Sequence, residues 1–300
     1  MPTVTASEDI ALGIDVGGTS IKAVLTAVLQ SQRVLHEARV PTPAQDPTGV
    51  QVAAAVAELA EGVTAELNLT DDLPVGVVVP GVVDELRGLA VHSTNLGFHQ
   101  VPMQALLSER LSRPVAFGHD VRAGALAEQR SGAAAGREGT TVFVPIGTGI
   151  SAAVLIDGVP LIGGGWAGEI GHVMLTQGPY AGLRMEQAAS ASSIAGHLGV
   201  PDARTAAQLV AEGDPKARRI WDAAVEVLAS SFAHLVAAVA PQTLIIGGGL
   251  SQSGTLLLDP LQEGLARQVP ALQLPDLVLA QHGDRAAALG AALLALEETC

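Results

Sequence analysis

One order of elements occurs twice in this chain and limits what it can fold into: an apolar strand, a glycine turn and a second apolar strand. The first copy is ALGIDVGGTSIKAVLTAVL, turning at Gly17-Gly18-Thr19. The second is TTVFVPIGTGISAAVLIDGVPLI, turning at Gly147-Thr148-Gly149. Short apolar runs punctuated by glycine read as strands and turns. After the first copy, RVLHEARVPTP reads as a third strand closed by Pro41 and Pro43. Residues 48–68 then place Val52, Val56, Leu59, Val63 and Leu67 at steps of three and four, the pattern of an amphipathic helix. LPVGVVVPG is a short buried strand, VPMQALLSERLS a helix, PVAFGHD a strand and VRAGALAEQRSG a helix. After the second copy, Asp157-Gly158 supplies a hairpin turn. Helices are expected near 185–198, 203–212 and 215–240. TLIIGGGLS is a strand entering a third glycine turn and a helix start, DLVLA a last strand and RAAALGAALLALEE a last helix. The chain is therefore α/β, with two similar halves and no flexible linker.

Composition removes several classes of function. Hydrophobic residues make up 48% of 300 residues, ample for buried cores, and with aromatics at 2% those cores must be aliphatic. The net charge, 16 − 30 = −14, would repel nucleic acid and anionic lipid, so neither is expected as a partner. Cys300 is the single cysteine, which excludes an internal disulfide and a cysteine-based metal cage. MPTVTASEDI lacks the basic and apolar regions of a secretory signal. The apolar stretches are interrupted short of the ~20 residues a membrane span needs. A cytoplasmic protein is the expectation.

Three glycine turns follow apolar strands: Gly17-Gly18-Thr19, Gly147-Thr148-Gly149 and Gly247-Gly248-Gly249. Glycine admits close backbone approach, and the N–H groups of such turns bind phosphate. Tight turning alone explains any single one of them equally well. The P-loop run GxxxxGK with Ser or Thr is absent. Gly147, Gly149 and Ala152 satisfy a loose dinucleotide fingerprint, but AAVLIDGV then reads as strand and hairpin, not as the helix that motif requires.

The motifs DVGGTSIKA, VPGVVD, HDVRAGALAE, VPIGTGI, GEIGH and LIIGGGLS stand in the order found in ROK-family sugar kinases, a branch of the actin-like ATPase superfamily. The chain resembles that family over roughly residues 10 to 295. The resemblance implies a two-domain actin-like ATPase (ribonuclease H-like) fold with an interdomain cleft. The domains would be 1–117 plus 286–300, and 118–285. It implies ATP and Mg2+, with Asp15 holding Mg2+ through water. Gly17, Gly18, Thr19, Thr148 and Gly149 would hold phosphates, and Gly247, Gly248 and Gly249 would pack against adenosine. Ser20 stands where relatives often carry Lys or Asn, and Lys22 is expected to be a solvated strand lysine.

A sugar hydroxyl is a poor nucleophile, so phosphoryl transfer asks for a positioned carboxylate and charge neutralisation by Mg2+. Asp120 stands where a strand passes into a helix, a position at which a capping role is the simplest reading. Matching His119-Asp120-Val121 to the family's Asn-Asp-Ala segment makes Asp120 the catalytic base, with His in place of the usual Asn. GEIGH sets Glu169 and His172 three apart, on one face of a helical turn. By the resemblance Glu169, His172, Glu186 and Asn95 bind sugar hydroxyls. Surface salt-bridging is the plainer reading of Glu186 alone.

The family commonly follows its histidine with a CxCGxxGC run that binds zinc. Here the segment is HVMLTQGPYAGLRMEQ, without cysteine, so no zinc is expected, and the loop between Val173 and Glu186 would be held by packing alone. The other histidines, at 36, 92, 99, 197, 234 and 282, read as ordinary surface or core residues. The expected enzyme is a hexokinase of the glucokinase type, with glucose ahead of N-acetylated or amino hexoses and fructose. A sugar-responsive regulator and an inert sugar sensor are the competing readings. The regulator is disfavoured by the acidic charge and by the roughly ten residues before the first strand, too few for a helix-turn-helix. A homodimer is implied by the resemblance alone.

Overall fold

The computed structural model describes residues 10–28, 32–70 and 72–297. Cys300 and most of MPTVTASEDI lie outside the described residues. In chain order come β1 (Ile10–Val16), β2 (Ser20–Ala27), β3 (Arg33–Pro41), α1 (Val50–Glu66), β4 (Val75–Val79), β5 (Val82–Asp84), β6 (Leu89–Ser93) and β7 (Phe98–Val101). Next are α2 (Met103–Leu111), β8 (Ala116–His119), α3 (Asp120–Ser131), β9 (Thr140–Pro145), β10 (Ala153–Ile156), β11 (Val159–Pro160), α4 (Met185–Ala189) and α5 (Ala191–Leu198). The chain continues through α6 (Ala203–Ala211), α7 (Pro215–Val239), β12 (Thr243–Gly247), α8 (Thr255–Gln268), β13 (Asp276–Leu279) and α9 (Ala286–Glu297). It divides into two compact units: Met1–Ser131, Ile162–Trp166 and Asp284–Cys300, then Gly132–Leu161 and Ala167–Gly283.

The first unit is built on a sheet of order β3-β2-β1-β4-β8. β1 and β2 form the expected hairpin, and β4 and β8 join parallel. Side chains alternate across a strand, so Leu12, Ile14 and Val16 share one face. They pack with Val52, Val56, Leu59 and Val63 of α1, the face that the helical spacing predicts. Gly13 and Gly76 serve the other face. A Cβ at Gly13 would lie 1.8 Å from the Ala288 carbonyl oxygen, and one at Gly76 1.9 Å from that of Ala291. Helix α9 thus rests on bare backbone. Helix α3 lies along α9, and a Cβ at Gly290 would meet the Ala123 carbonyl oxygen at 1.9 Å.

This packing moves the unit boundary beyond the one expected at 117, because α3 belongs with α9. Residues 162–166 join the same unit, with Gly165 seated against the Val83 carbonyl. The sequence reading also passed over a second sheet, of order β5-β6-β7. Its strands have three to five residues, too short for alternation to declare them.

The second unit repeats the first topology with the order β11-β10-β9-β12-β13. Its expected hairpin turn is present: Asp157 and Gly158 have φ of 50° and 81°, both in the left-handed region such a turn requires. The helix expected over 185–198 is two. Ser190 leaves helical geometry, and its hydroxyl caps α5 by accepting from the Ser193 N–H at 3.1 Å. After the third glycine turn comes a tight turn at Gly249–Ser253, and only then α8.

Asp214 caps α7 by accepting from the Ala217 N–H at 2.7 Å, with Pro215 at the first helical position. With 25 residues, α7 is long and apolar enough by length and composition to cross a membrane, which the sequence reading missed. Its apolar face, including Trp221, Leu228 and Phe232, is buried in this unit's own core. The Trp221 indole N–H donates to the Leu256 carbonyl at 3.2 Å.

Candidate active site

In the first unit the β1–β2 turn is tied down from the end of β3. The Gly17 N–H donates to the Ser20 carbonyl at 3.0 Å, and the Thr42 hydroxyl donates to the Gly17 carbonyl at 2.6 Å. Thr42 carries no motif, so sequence reasoning missed it. Asn95, on the turn between β6 and β7, lies against Gly18, where a Cβ would stand 3.3 Å from that of Asn95. The overlooked three-stranded sheet thus places Asn95 beside the phosphate-turn candidate.

Asp15 closes β1, and antiparallel register sets Lys22 of β2 directly opposite. The Lys22 ammonium is 3.7 Å from the Asp15 carboxylate and 3.6 Å from that of Asp284, and it donates to the Asp284 carbonyl at 2.9 Å. Its side chain is only 20% exposed, so the expectation of a solvated lysine fails. Cross-strand pairing with a buried carboxylate decides its place. Burial pushes the Asp15 carboxyl up despite Lys22. Burial would also raise Asp284, but its bonds and charge contacts with Arg39 and Lys22 outweigh that and hold it below the ordinary range. Mg2+ is commonly bound by one or two carboxylates together with substrate phosphates and water. One carboxylate beside a glycine turn fits that donor chemistry. Among the described residues no group of three metal-ligating side chains occurs.

Asp120 is the first residue of α3, following β8 directly. Its carboxylate accepts from the neighbouring Val121 N–H at 2.7 Å. The longer-range capping duty falls to His119, whose Nδ1 accepts from the Arg122 N–H at 3.4 Å. Burial, aided by the Arg122 charge and opposed by a hydrogen bond with the Gly81 backbone, pushes the His119 pKa down to about 3. The ring is therefore neutral near pH 7. With Nδ1 accepting, the proton sits on Nε2, 3.3 Å from the Asp120 Oδ1. With the ring neutral, that contact is not an ion pair. Glu85 completes the support: its Oε1 accepts from the His119 N–H and from the Arg122 Nε, each at 3.0 Å. Neither Glu85 nor Arg122 carried a sequence signal, because the pair is brought together by folding alone.

In the second unit the Gly147-Thr148-Gly149 turn is bonded to the start of α5. The Ala191 N–H donates to the Gly147 carbonyl at 2.9 Å and the Ser192 hydroxyl to the Thr148 carbonyl at 2.8 Å. The third turn joins it, with the Ile146 N–H donating to the Gly247 carbonyl at 2.9 Å and Gly248 held at φ 74° against the Ile146 backbone. Cβ positions at Gly147 and Gly249 open onto free space, which leaves their backbone approachable.

Glu169 and His172 share a face as expected, with Glu169 Oε2 3.6 Å from His172 Nε2. Arg184, which the sequence reading did not single out, links them to Glu186. Its Nη1 is 3.3 Å from His172 Nδ1 and its Nη2 3.3 Å from Glu186 Oε1. Glu186 Oε2 lies 3.1 Å from the Cβ position of Gly149. The salt-bridging read for Glu186 in isolation is thus present, inside a cluster that also holds a glycine turn.

The loop from Val173 to Glu186 is not held by packing alone. The Leu175 N–H donates to the Leu183 carbonyl and the Gly182 N–H to the Leu175 carbonyl, both at 2.8 Å, making a small hairpin. Tyr180 stacks on His197 with ring centroids 5.1 Å apart. A zinc centre does not fit here: the segment has no thiol, and the His172 Nδ1 faces a guanidinium.

Comparison with known proteins identifies the family and the fold. The ROK family profile matches residues 11–298. The chain is 32% identical over 292 residues to the bifunctional enzyme NanE/NanK of Brucella suis, covering 95% of this chain and 53% of that protein. It thus spans about half the length of that relative. The ROK hexokinase of Thermus thermophilus superposes with a TM-score of 0.80 at 32% identity, covering 97% of this chain and 99% of that one. The ROK glucokinase of Streptomyces griseus, in complex with glucose and AMPPNP, also gives 0.80, at 25% identity over 96% of this chain and 99% of that one. The chain is a member of the ROK family and has the actin-like ATPase fold of its sugar kinases.

Proposed function

We propose that the protein transfers the γ-phosphoryl group of ATP to a hydroxyl of a hexose, with glucose as the substrate and Asp120 as the general base. The observation that carries this reading is the Asp120 carboxylate at the head of α3, 26% exposed and 3.3 Å from a buried neutral His119. His119 caps the helix by accepting from the Arg122 N–H, and the Asp120 carboxylate, itself accepting from the Val121 N–H, would take the hydroxyl proton. Its neighbours Glu85 and Arg122 hold the strand end in place. In the proposed reaction the hexose oxygen attacks the γ-phosphorus, the bond to the β–γ bridging oxygen breaks, and the hydroxyl proton passes to Asp120. Asn95, Glu169, His172 and Glu186 orient the sugar, and a sugar lacking a matching hydroxyl would leave their polar groups unpaired. The turns Gly17-Gly18-Thr19 and Thr148-Gly149 hold phosphates, with Gly17 bracing the first of them through the bond of its own N–H to the Ser20 carbonyl, and Gly247 to Gly249 pack against adenosine. Mg2+, held at Asp15 through water, would neutralise developing phosphate charge.

The names of the matching relatives support a hexose kinase, and the glucose complex of the Streptomyces griseus enzyme supports glucose. The test is hexose-dependent ADP release with ATP and Mg2+ across glucose, mannose, fructose, glucosamine and the N-acetylated hexoses. Glucose should give the highest kcat/KM, and Asp120→Asn should lower kcat by about 10²–10⁴. A preference for an N-acetylated sugar would reassign the substrate. Full activity in Asp120→Asn would remove the base. Sugar binding without turnover in the wild type would favour the inert sensor.

A further inference from the structure

We infer that Arg184 is a positioning residue: it fixes the imidazole tautomer of His172 and links the ring to Glu186. The sugar-site reading of His172 and Glu186 rests on the proposed function; the tautomer assignment rests on geometry alone. Arginine only donates hydrogen bonds and stays charged at all ordinary pH values. Its Nη1, 3.3 Å from His172 Nδ1, therefore makes that nitrogen an acceptor. The ring proton must then sit on Nε2, the nitrogen that faces the Glu169 carboxylate at 3.6 Å. The second arm, Nη2, reaches Glu186 Oε1 at 3.3 Å. One planar fork thus turns the Nε2–H toward the Glu169 carboxylate and holds Glu186 with its other arm, a donor and two acceptors of the kind that adjacent sugar hydroxyls match.

The backbone supports the fork. Arg184 immediately precedes α4, and its own N–H is held by the Gln187 side chain at 2.9 Å. It also closes the small hairpin, pairing with Met174 across the loop. Chain geometry therefore sets where the guanidinium starts, and the two acceptors set where it ends.

The test uses the full chain with ¹⁵N-labelled histidine, the His172 signals being assigned by their loss in His172→Asn. The wild type should show the Nε2–H tautomer at His172, with metal analysis finding no stoichiometric zinc. Arg184→Ala should give a mixture of tautomers. It should also weaken glucose binding, measured by calorimetry without nucleotide, by about tenfold, the worth of a charge-assisted hydrogen bond. In steady-state assays the glucose KM should rise by about the same factor while kcat changes by less than about threefold. Arg184→Lys keeps the charge and not the fork, so it should restore less than half of that loss on a logarithmic scale. Unchanged tautomer and affinity in Arg184→Ala, or one zinc per chain in the wild type, would overturn the assignment. If no hexose binds or reacts in the wild type, the kinase reading falls, and the tautomer comparison still decides the role of Arg184.

Discussion

The two units share one sheet order and one strand–turn–strand start, yet only the first buries a carboxylate at the end of its leading strand. Two residues before its first turn glycine, the first unit has Asp15, buried and paired across the hairpin with Lys22. The second has Pro145 at that place. In the first unit, charge gathers along the hairpin itself: Asp15, Lys22, Asp284 and Arg39 form one chain of contacts. In the second, charge gathers on the segment after the hairpin, at Glu169, His172, Arg184 and Glu186. The same topology therefore carries different chemistry. Register and turn geometry supply the frame, and the side chains at a few positions assign the work.

The strongest way to break this contrast is to exchange the leading residues. Asp15→Asn should lower kcat by about 10³ and raise the Mg2+ concentration needed for half-maximal turnover, whereas Pro145→Ala should change kcat by less than about threefold. Equal losses in steady-state kinetics would show that the two hairpins do the same work. The cores differ next. A buried ring on a helix and a bare strand fail in different ways: Phe232→Ala should cost about 3–5 kcal/mol through a cavity. Gly76→Ala should cost about 1–3 kcal/mol by forcing α9 off the sheet. Urea denaturation at constant m-value measures both.

A pH-dependent effect concerns His119, a buried neutral imidazole in the first unit. Its pKa lies near 3 in the folded chain against 6.5 when exposed, so between those values the unfolded chain binds a proton that the folded chain refuses. Stability should fall as pH drops through that window, by up to about 1.4 kcal/mol per pH unit, and should be indifferent to this group above it. His119→Asn, which keeps a capping side chain, should flatten that part of the pH profile. An identical profile in both proteins would mean that His119 titrates alike in the folded and unfolded chains.

Much of this was legible before folding. The two hairpins, the apolar face of α1, the Asp157-Gly158 turn and the side-by-side placement of Glu169 and His172 all rest on local spacing, and local spacing is what a sequence displays. The β5–β7 sheet was not legible because its strands are too short to alternate visibly. The break at Ser190 was hidden by helix-compatible neighbours, since one serine leaving helical geometry costs little when its hydroxyl caps the next helix. Lys22 was misread because its surroundings come from elsewhere in the chain.

Alone, the amino-acid order determined two α/β halves of one kind, their glycine turns and the place of Asp120 at a strand-to-helix junction, because each depends on residues within a few positions of one another. Tertiary structure decided which partners those residues meet: Asp284 for Lys22, 262 positions away; Glu85 for Arg122; Asn95 beside Gly18; Arg184 between His172 and Glu186. The reason is physical. Hydrogen bonds and ion pairs act over a few ångströms, and only the folded backbone brings distant segments within that range.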